Sequence, residues 1–140
     1  MRATLDPAAE NLPVPAASAL TVNRVVQEAL SNAARHAPGS TVHVEVTPAG
    51  GALHVRVRNT AATRPARPDP NRGAAAHNGL TGMRQRVTAI GGTLRTGPAG
   101  DGGFEVNAVV PLTRDTAPRR DRSRWLDERT RGSHDRAGRR

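Results

Sequence analysis

The 140-residue sequence contains no cysteine, no lysine and no tyrosine. Without cysteine there is neither a disulfide framework nor a thiolate metal site. The aromatic residues are Phe104 and Trp125 alone, so any core must be built from Val, Leu, Ile and Ala. No apolar run approaches the roughly 20 residues that cross a bilayer, and the N-terminus has no signal-peptide hydrophobic region. These absences lead to the expectation of a soluble cytoplasmic protein without direct membrane insertion, although it could belong to a membrane-tethered assembly. The length suits one domain of ordinary size.

The formal net charge of +9 is unevenly spread. Residues 1–113 hold 11 arginines against 7 acids, and residues 114–140 hold 10 against 5. More than half of the excess therefore falls in a short tail with almost no apolar residues. Such a segment cannot bury enough surface to offset its ordering entropy and is expected to be disordered. It also lacks interleaved aromatics for base stacking, so no specific nucleic-acid complex is expected. The exclusive use of arginine reads as a GC-rich coding bias rather than as selection for phosphate binding.

What is present is periodic. Residues 2–6 suit a short strand, and Pro7–Pro15 a proline-rich connection. Val22, Val25, Val26, Ala29, Leu30 and Ala33 recur at three- and four-residue steps, which predicts an amphipathic helix over about 18–36. Ser18 is its candidate N-cap, and Pro38-Gly39 stops it. Thr41–Val46 and Ala52–Arg58 alternate, with Val42, Val44, Val46, Leu53, Val55 and Val57 facing inward around a hairpin turn at Pro48–Gly51. Residues 60–78 read as a Pro-, Ala- and Arg-rich flexible loop. A second helix follows, marked by Leu80, Met83, Val87 and Ile90 and ended by Gly91-Gly92. Thr93–Thr96 and Phe104–Val110 form a last hairpin. The fold class is α+β: a two-layer sandwich with a mixed, mostly antiparallel sheet covered by helices on one face.

Two segments carry chemistry. On the first helix Glu28 and Asn32 sit four apart, so a carboxylate and an amide oxygen project from one face about a turn apart. Together they can bind a hard cation or orient a water, or they are solvated polar positions. The second segment is Asn78-Gly79-Leu80-Thr81-Gly82-Met83-Arg84-Gln85-Arg86, a glycine-marked turn running into a helix. Glycines before a helix let its free N–H groups approach a phosphate. By periodicity Leu80 and Met83 read as core.

Together these segments resemble the N box and second glycine box of the GHKL superfamily (gyrase, Hsp90, histidine kinase, MutL), most closely the ATP-binding domain of NarL/DesK-type two-component sensor histidine kinases. The likeness runs from about residue 1 to residue 113 and includes the closing Gly102-Gly103-Phe104-Glu105-Val106-Asn107-Ala108-Val109-Val110-Pro111-Leu112. It implies the Bergerat fold, with an ATP lid at about 60–78 and a separate tail at 114–140. It also implies ATP and Mg²⁺ as cofactors. Asn32 would be the metal ligand that bridges to the phosphates, and Glu28 the catalytic carboxylate that orients water or assists the metal. Asn32, Arg35, His36, Asn59, Asn78, Gly79, Leu80, Gly82 and Arg84 would bind the nucleotide.

The sequence departs from the family where the first glycine box normally reads Asp-x-Gly-x-Gly. Here the run is Asn59-Thr60-Ala61-Ala62-Thr63. Asn59 keeps a carbonyl acceptor for the adenine amine without the charge, which weakens the hydrogen bond. His77 stands where the second box usually begins with glycine. The resemblance implies a protein histidine kinase that phosphorylates a histidine on a separate helical hairpin, from which a LuxR-type response regulator takes the phosphoryl group. The alternatives are a serine kinase of the anti-sigma-factor type and a degenerate nucleotide-binding or interaction module. The wording Gly-Leu-Thr-Gly-Met-Arg at residues 79–84 favours the histidine kinase. No phosphoacceptor helix precedes the first strand, and the only His-Asp pair, His134-Asp135, lacks surrounding apolar periodicity. Autophosphorylation is therefore expected only with a partner hairpin.

Overall fold

The structure, a computed structural model, describes residues 2–113; the arginine-rich tail and its His134-Asp135 pair lie outside the described residues. The elements in chain order are β1 (Arg2–Leu5), α1 (Pro7–Glu10), α2 (Ala16–His36), β2 (Val42–Ala49), β3 (Ala52–Asn59), α3 (Arg72–Ala89), β4 (Thr93–Pro98) and β5 (Phe104–Pro111). The five strands form one sheet in the order β1-β2-β3-β5-β4. Only β1–β2 is parallel; β2–β3, β3–β5 and β4–β5 are antiparallel. A parallel pair needs a long crossover, which α1 and α2 supply. The observed fold is the α+β sandwich expected from the pattern.

Alternation decides which face is covered. Val42, Val44, Leu53, Val55, Val57, Val106, Ala108 and Val110 are buried against Val25, Ala29 and Ala33 of α2 and Met83 and Val87 of α3. The intervening residues stand on the open face, where Arg56 pairs with Glu105 at 2.7 Å and with Glu45 at 3.8 Å. Arg58 reaches Asp101 at 2.9 Å. The Glu105 carboxyl is held below its ordinary value by hydrogen bonds from Asn107 and Arg56. No helix among the described residues is long and apolar enough to cross a membrane.

Three expectations change. The Pro7–Pro15 connection holds a short helix, α1, whose N-cap Asp6 accepts from the Ala8 N–H at 2.9 Å. Ser18 is not the N-cap of α2. The helix begins after Pro15, and Ser18 is buried within its first turn, donating from Oγ to the Pro111 carbonyl at 2.7 Å. Finally, the loop after β3 ends at Asn71 rather than at Asn78, because Arg72–Asn78 forms the first two turns of α3. The reason is local. Ala74-Ala75-Ala76 consists of the best helix former, and an Asx turn prepares the start, with Asp69 Oδ1 accepting from the Asn71 N–H at 2.9 Å.

Met83 is fully buried where α3 meets the sheet. Met83→Ala should lower the unfolding free energy by about 2–5 kcal/mol through lost contacts and a residual cavity. Denaturant titration checks this, and a loss under about 1 kcal/mol would mean that α3 does not seal the core at this point.

Candidate functional site

α2 and α3 do not cover the whole apolar face. Where the end of β3 meets the start of β5, a cleft of about 390 Å³ remains. Val57, Asn59, Phe104 and Val106 form its floor, α2 gives Ala29, Asn32, Ala33 and His36 to one wall, and α3 gives Ala76 and Leu80 to the other. Ala62 and Gly102-Gly103 close the rim. Its size and its mostly apolar lining with a few convergent polar groups are those of a small-molecule site.

Alanine at positions 29, 33 and 76 keeps the cleft open, since any larger side chain there would enter it. Gly103 permits a close backbone contact, because a Cβ at that position would collide with the Asn59 carbonyl oxygen. Asn59 is itself buried at the end of β3. Its Nδ2 donates to the Thr60 carbonyl at 2.9 Å, leaving Oδ1 as the remaining side-chain acceptor at the cleft floor. The loop that follows is tied down on α2's exit turn: the Thr63 and Arg64 N–H groups donate to the Pro38 carbonyl, and Thr63 Oγ1 donates to the Gly39 carbonyl.

Along α2 the polar groups form two clusters. Arg35 Nη2 lies 3.5 Å from Glu28 Oε1, 3.0 Å from Ser31 Oγ and 3.4 Å from Asn32 Oδ1. Three oxygens thus already converge on one cationic group, a donor set that suits a hard cation. Among the described residues no three of His, Cys, Asp and Glu come together as a metal site. A magnesium ion there would draw one or two oxygens from the protein and the rest from water and phosphate.

The second cluster lies at the helix end. His36 Nδ1 accepts from Arg72 Nε at 3.0 Å, while Arg72 Nη2 donates to the Arg35 and His36 carbonyls at 2.9 and 3.2 Å. The guanidinium therefore caps the C-terminus of α2, where a positive charge is favoured. His36 Nε2 is buried with no hydrogen-bond partner among the described residues. Burial, then the positive charges of Arg72 and Arg35, lower the His36 pKa, with Asp69 acting in the opposite sense.

The structure brings Asn32, His36, Asn59 and Leu80 to the cleft, with Glu28 and Arg35 beside it. Leu80 serves both as half-buried core and as lining. Gly79 and Gly82 are not at a helix N-terminus. Both lie inside α3, where their N–H groups fall within the helical ladder instead of pointing at a ligand. Gly79 instead leaves room for the Glu28 carboxylate, which a Cβ there would push aside. Asn78 is exposed on α3, and Arg84 lines a separate groove with His77, Gln85 and Thr96. Sequence reasoning missed Arg72, which it left in a loop, and missed Gly103 and Phe104 as lining. The only signal for the latter pair was their place in the Gly-Gly-Phe closing motif.

The family model described as histidine kinase-, DNA gyrase B- and HSP90-like ATPase matches residues 17–114. Among solved structures, the chain is similar to the Erythrobacter litoralis EL346 blue-light activated histidine kinase, at 27% identity and a TM-score of 0.59, covering 81% of this chain and 35% of that one. It is also similar to the catalytic domain of histidine kinase ThkA, at 18% identity and a TM-score of 0.61, covering 81% and 78%. Acinetobacter baumannii histidine kinase AdeS gives 10% identity and a TM-score of 0.51, covering 67% and 47%. The chain thus spans about a third of the length of the Erythrobacter kinase. No curated protein matches the sequence.

The lowered His36 pKa has a definite sign. In the range below about 6.5 the unfolded chain binds the proton more readily than the folded one, so stability rises with pH. The contribution is complete above about 6.5 and is lost as pH falls through the lowered value. Histidine NMR titration of the nucleotide-free protein should place the His36 midpoint below 6.5. A midpoint at or above that value would refute the burial and charge argument.

Proposed function

We propose, since the chain belongs to the histidine kinase-, DNA gyrase B- and HSP90-like ATPase family, that it is the ATP-binding catalytic domain of a NarL/DesK-type two-component sensor histidine kinase. Family membership implies ATP binding. The observation that supports nucleotide binding is the cleft, in which Asn32, His36 and Asn59 converge around an otherwise apolar slot; the subfamily reading rests on the wording of residues 79–84. In this reading residues 1–113 are the ATP-binding domain, working in the cytoplasm.

The apolar floor of Val57 and Val106 accepts a flat base, and Asn59 Oδ1 accepts from its exocyclic amine. Asn32 Oδ1 would hold Mg²⁺, and Glu28 would orient a water or assist the metal. When bound, the metal neutralises phosphate charge. Arg35, which lies on Glu28 and Asn32 in the structure, would add a second positive charge near the phosphates. The phosphoryl acceptor is a histidine on a separate helical hairpin, and a LuxR-type response regulator takes the group onward.

Calorimetric titration of Mg-ATP should give saturable binding that weakens with EDTA. Asn32→Ala should reduce the magnesium-dependent affinity about tenfold or more, the scale of a lost charge-assisted contact, with unchanged circular dichroism because alanine favours the helix. Unchanged affinity would place Asn32 outside the site, and no binding by the wild type would favour a degenerate module.

The transfer step is tested by adding a phosphoacceptor hairpin and γ-labelled ATP. The expected product is acid-labile, base-stable label on the hairpin. Acid-stable label on a partner serine would instead support the anti-sigma-factor type of kinase.

A further inference from the structure

We infer that Arg72 is a positioning residue for the nucleotide site: by donating to His36 Nδ1 it fixes the imidazole as the Nε2–H tautomer and makes His36 a neutral hydrogen-bond donor at the cleft wall. This rests on the nucleotide reading above and adds a residue and a mechanism to it.

A guanidinium remains protonated in a protein and offers donors only. The nitrogen 3.0 Å from Arg72 Nε must therefore present a lone pair. In a neutral imidazole the proton then sits on the other nitrogen, Nε2. A doubly protonated ring would set an N–H against an N–H and a positive charge against two arginines, Arg72 from α3 and Arg35 from α2. Asp69, in the loop before α3, is the one group of opposite charge acting on the ring among the described residues. The same fork that reads Nδ1 also grips the Arg35 and His36 carbonyls, so the guanidinium cannot drift without losing three contacts.

The result is a donor the protein itself leaves unmet, since His36 Nε2 is buried without a partner among the described residues. A buried orphan donor is costly. The ring borders the cleft while Nε2 itself is shielded, so a small shift on nucleotide binding would bring an acceptor oxygen to it. Arg72 is also the first residue of α3. The contact that sets the tautomer therefore also fixes the start of the wall carrying Ala76 and Leu80.

The test is a long-range proton–nitrogen NMR correlation on nitrogen-labelled, nucleotide-free protein, about one unit above the ordinary histidine pKa. The His36 signals are assigned by their loss in His36→Gln. Wild type should show His36 as the Nε2–H form alone. Arg72→Ala should show a mixture of tautomers and bind Mg-ATP roughly threefold to tenfold more weakly, the weight of one hydrogen bond. Arg72→Lys keeps a donor for Nδ1 and should restore the single tautomer and part of the affinity. It also provides the comparison should the alanine variant fold poorly, as judged by circular dichroism. Retention of the pure Nε2–H form in Arg72→Ala would overturn the inference, as would mixed tautomers with unchanged affinity. Failure of the nucleotide reading is distinct, appearing as absent Mg-ATP binding by the wild type, and would remove the proposed role of the donor.

Discussion

Burial of a single apolar sheet face is the constraint on which the rest of the molecule depends. With two aromatic residues in the whole sequence, one of them Phe104, the interior is built from Val, Leu, Ala and Met. Small side chains pack closely only where backbones approach closely. Ala29 and Ala33 accordingly let α2 settle onto the sheet, and Gly79 leaves room for the Glu28 carboxylate between α2 and α3. Between the two helices, where Ala29, Ala33 and Ala76 line the cleft, alanine does not fill the gap. The cleft is the portion of the apolar face that two helices with small side chains leave uncovered.

Polarity is then distributed along α2 by helical geometry. Positions 28 and 32 lie beside the α3 contact, whereas position 36 reaches the end of the helix and meets Arg72. One helix thus provides both an oxygen cluster suited to a cation and a neutral donor, about two turns apart. The open sheet face follows different rules. Its charges pair across strands, Arg56 with Glu45 and Glu105, and Arg58 with Asp101, and exposed pairs of this kind contribute little to stability.

Legibility from sequence followed the strength of the periodic signal. The alternation of Leu53, Val55 and Val57 fixed a strand and its inward face, and the spacing of Val25, Ala29 and Ala33 fixed a helix, because burial enforces both patterns. The start of α3 was illegible for the opposite reason. Gly73-Ala74-Ala75-Ala76 carries no amphipathic contrast, and the neighbouring prolines favoured a loop, while helix propensity and the Asp69 turn decided otherwise. Asn32, His36 and Asn59 were found through motifs that keep their spacing along the chain. Arg72 was not, since its contact with His36 spans 36 residues and leaves no trace in any local pattern. Ser18 was assigned to a helix start by residue type alone, whereas its partner lies 93 residues away.

That last contact bears on the order in which the molecule assembles. The β2–β3 and β4–β5 hairpins are local and can form early, but their union through β3–β5 pairs Ala52 with Pro111, and the Ser18–Pro111 bond closes a still longer loop. Contacts of such separation must overcome chain entropy before they yield any gain, and they slow folding. The cleft lies across this seam, with Asn59 on one hairpin and Phe104 on the other in register. It therefore comes into existence only when the two halves join, and a ligand held there acts as a clasp across that long-range joint of the chain.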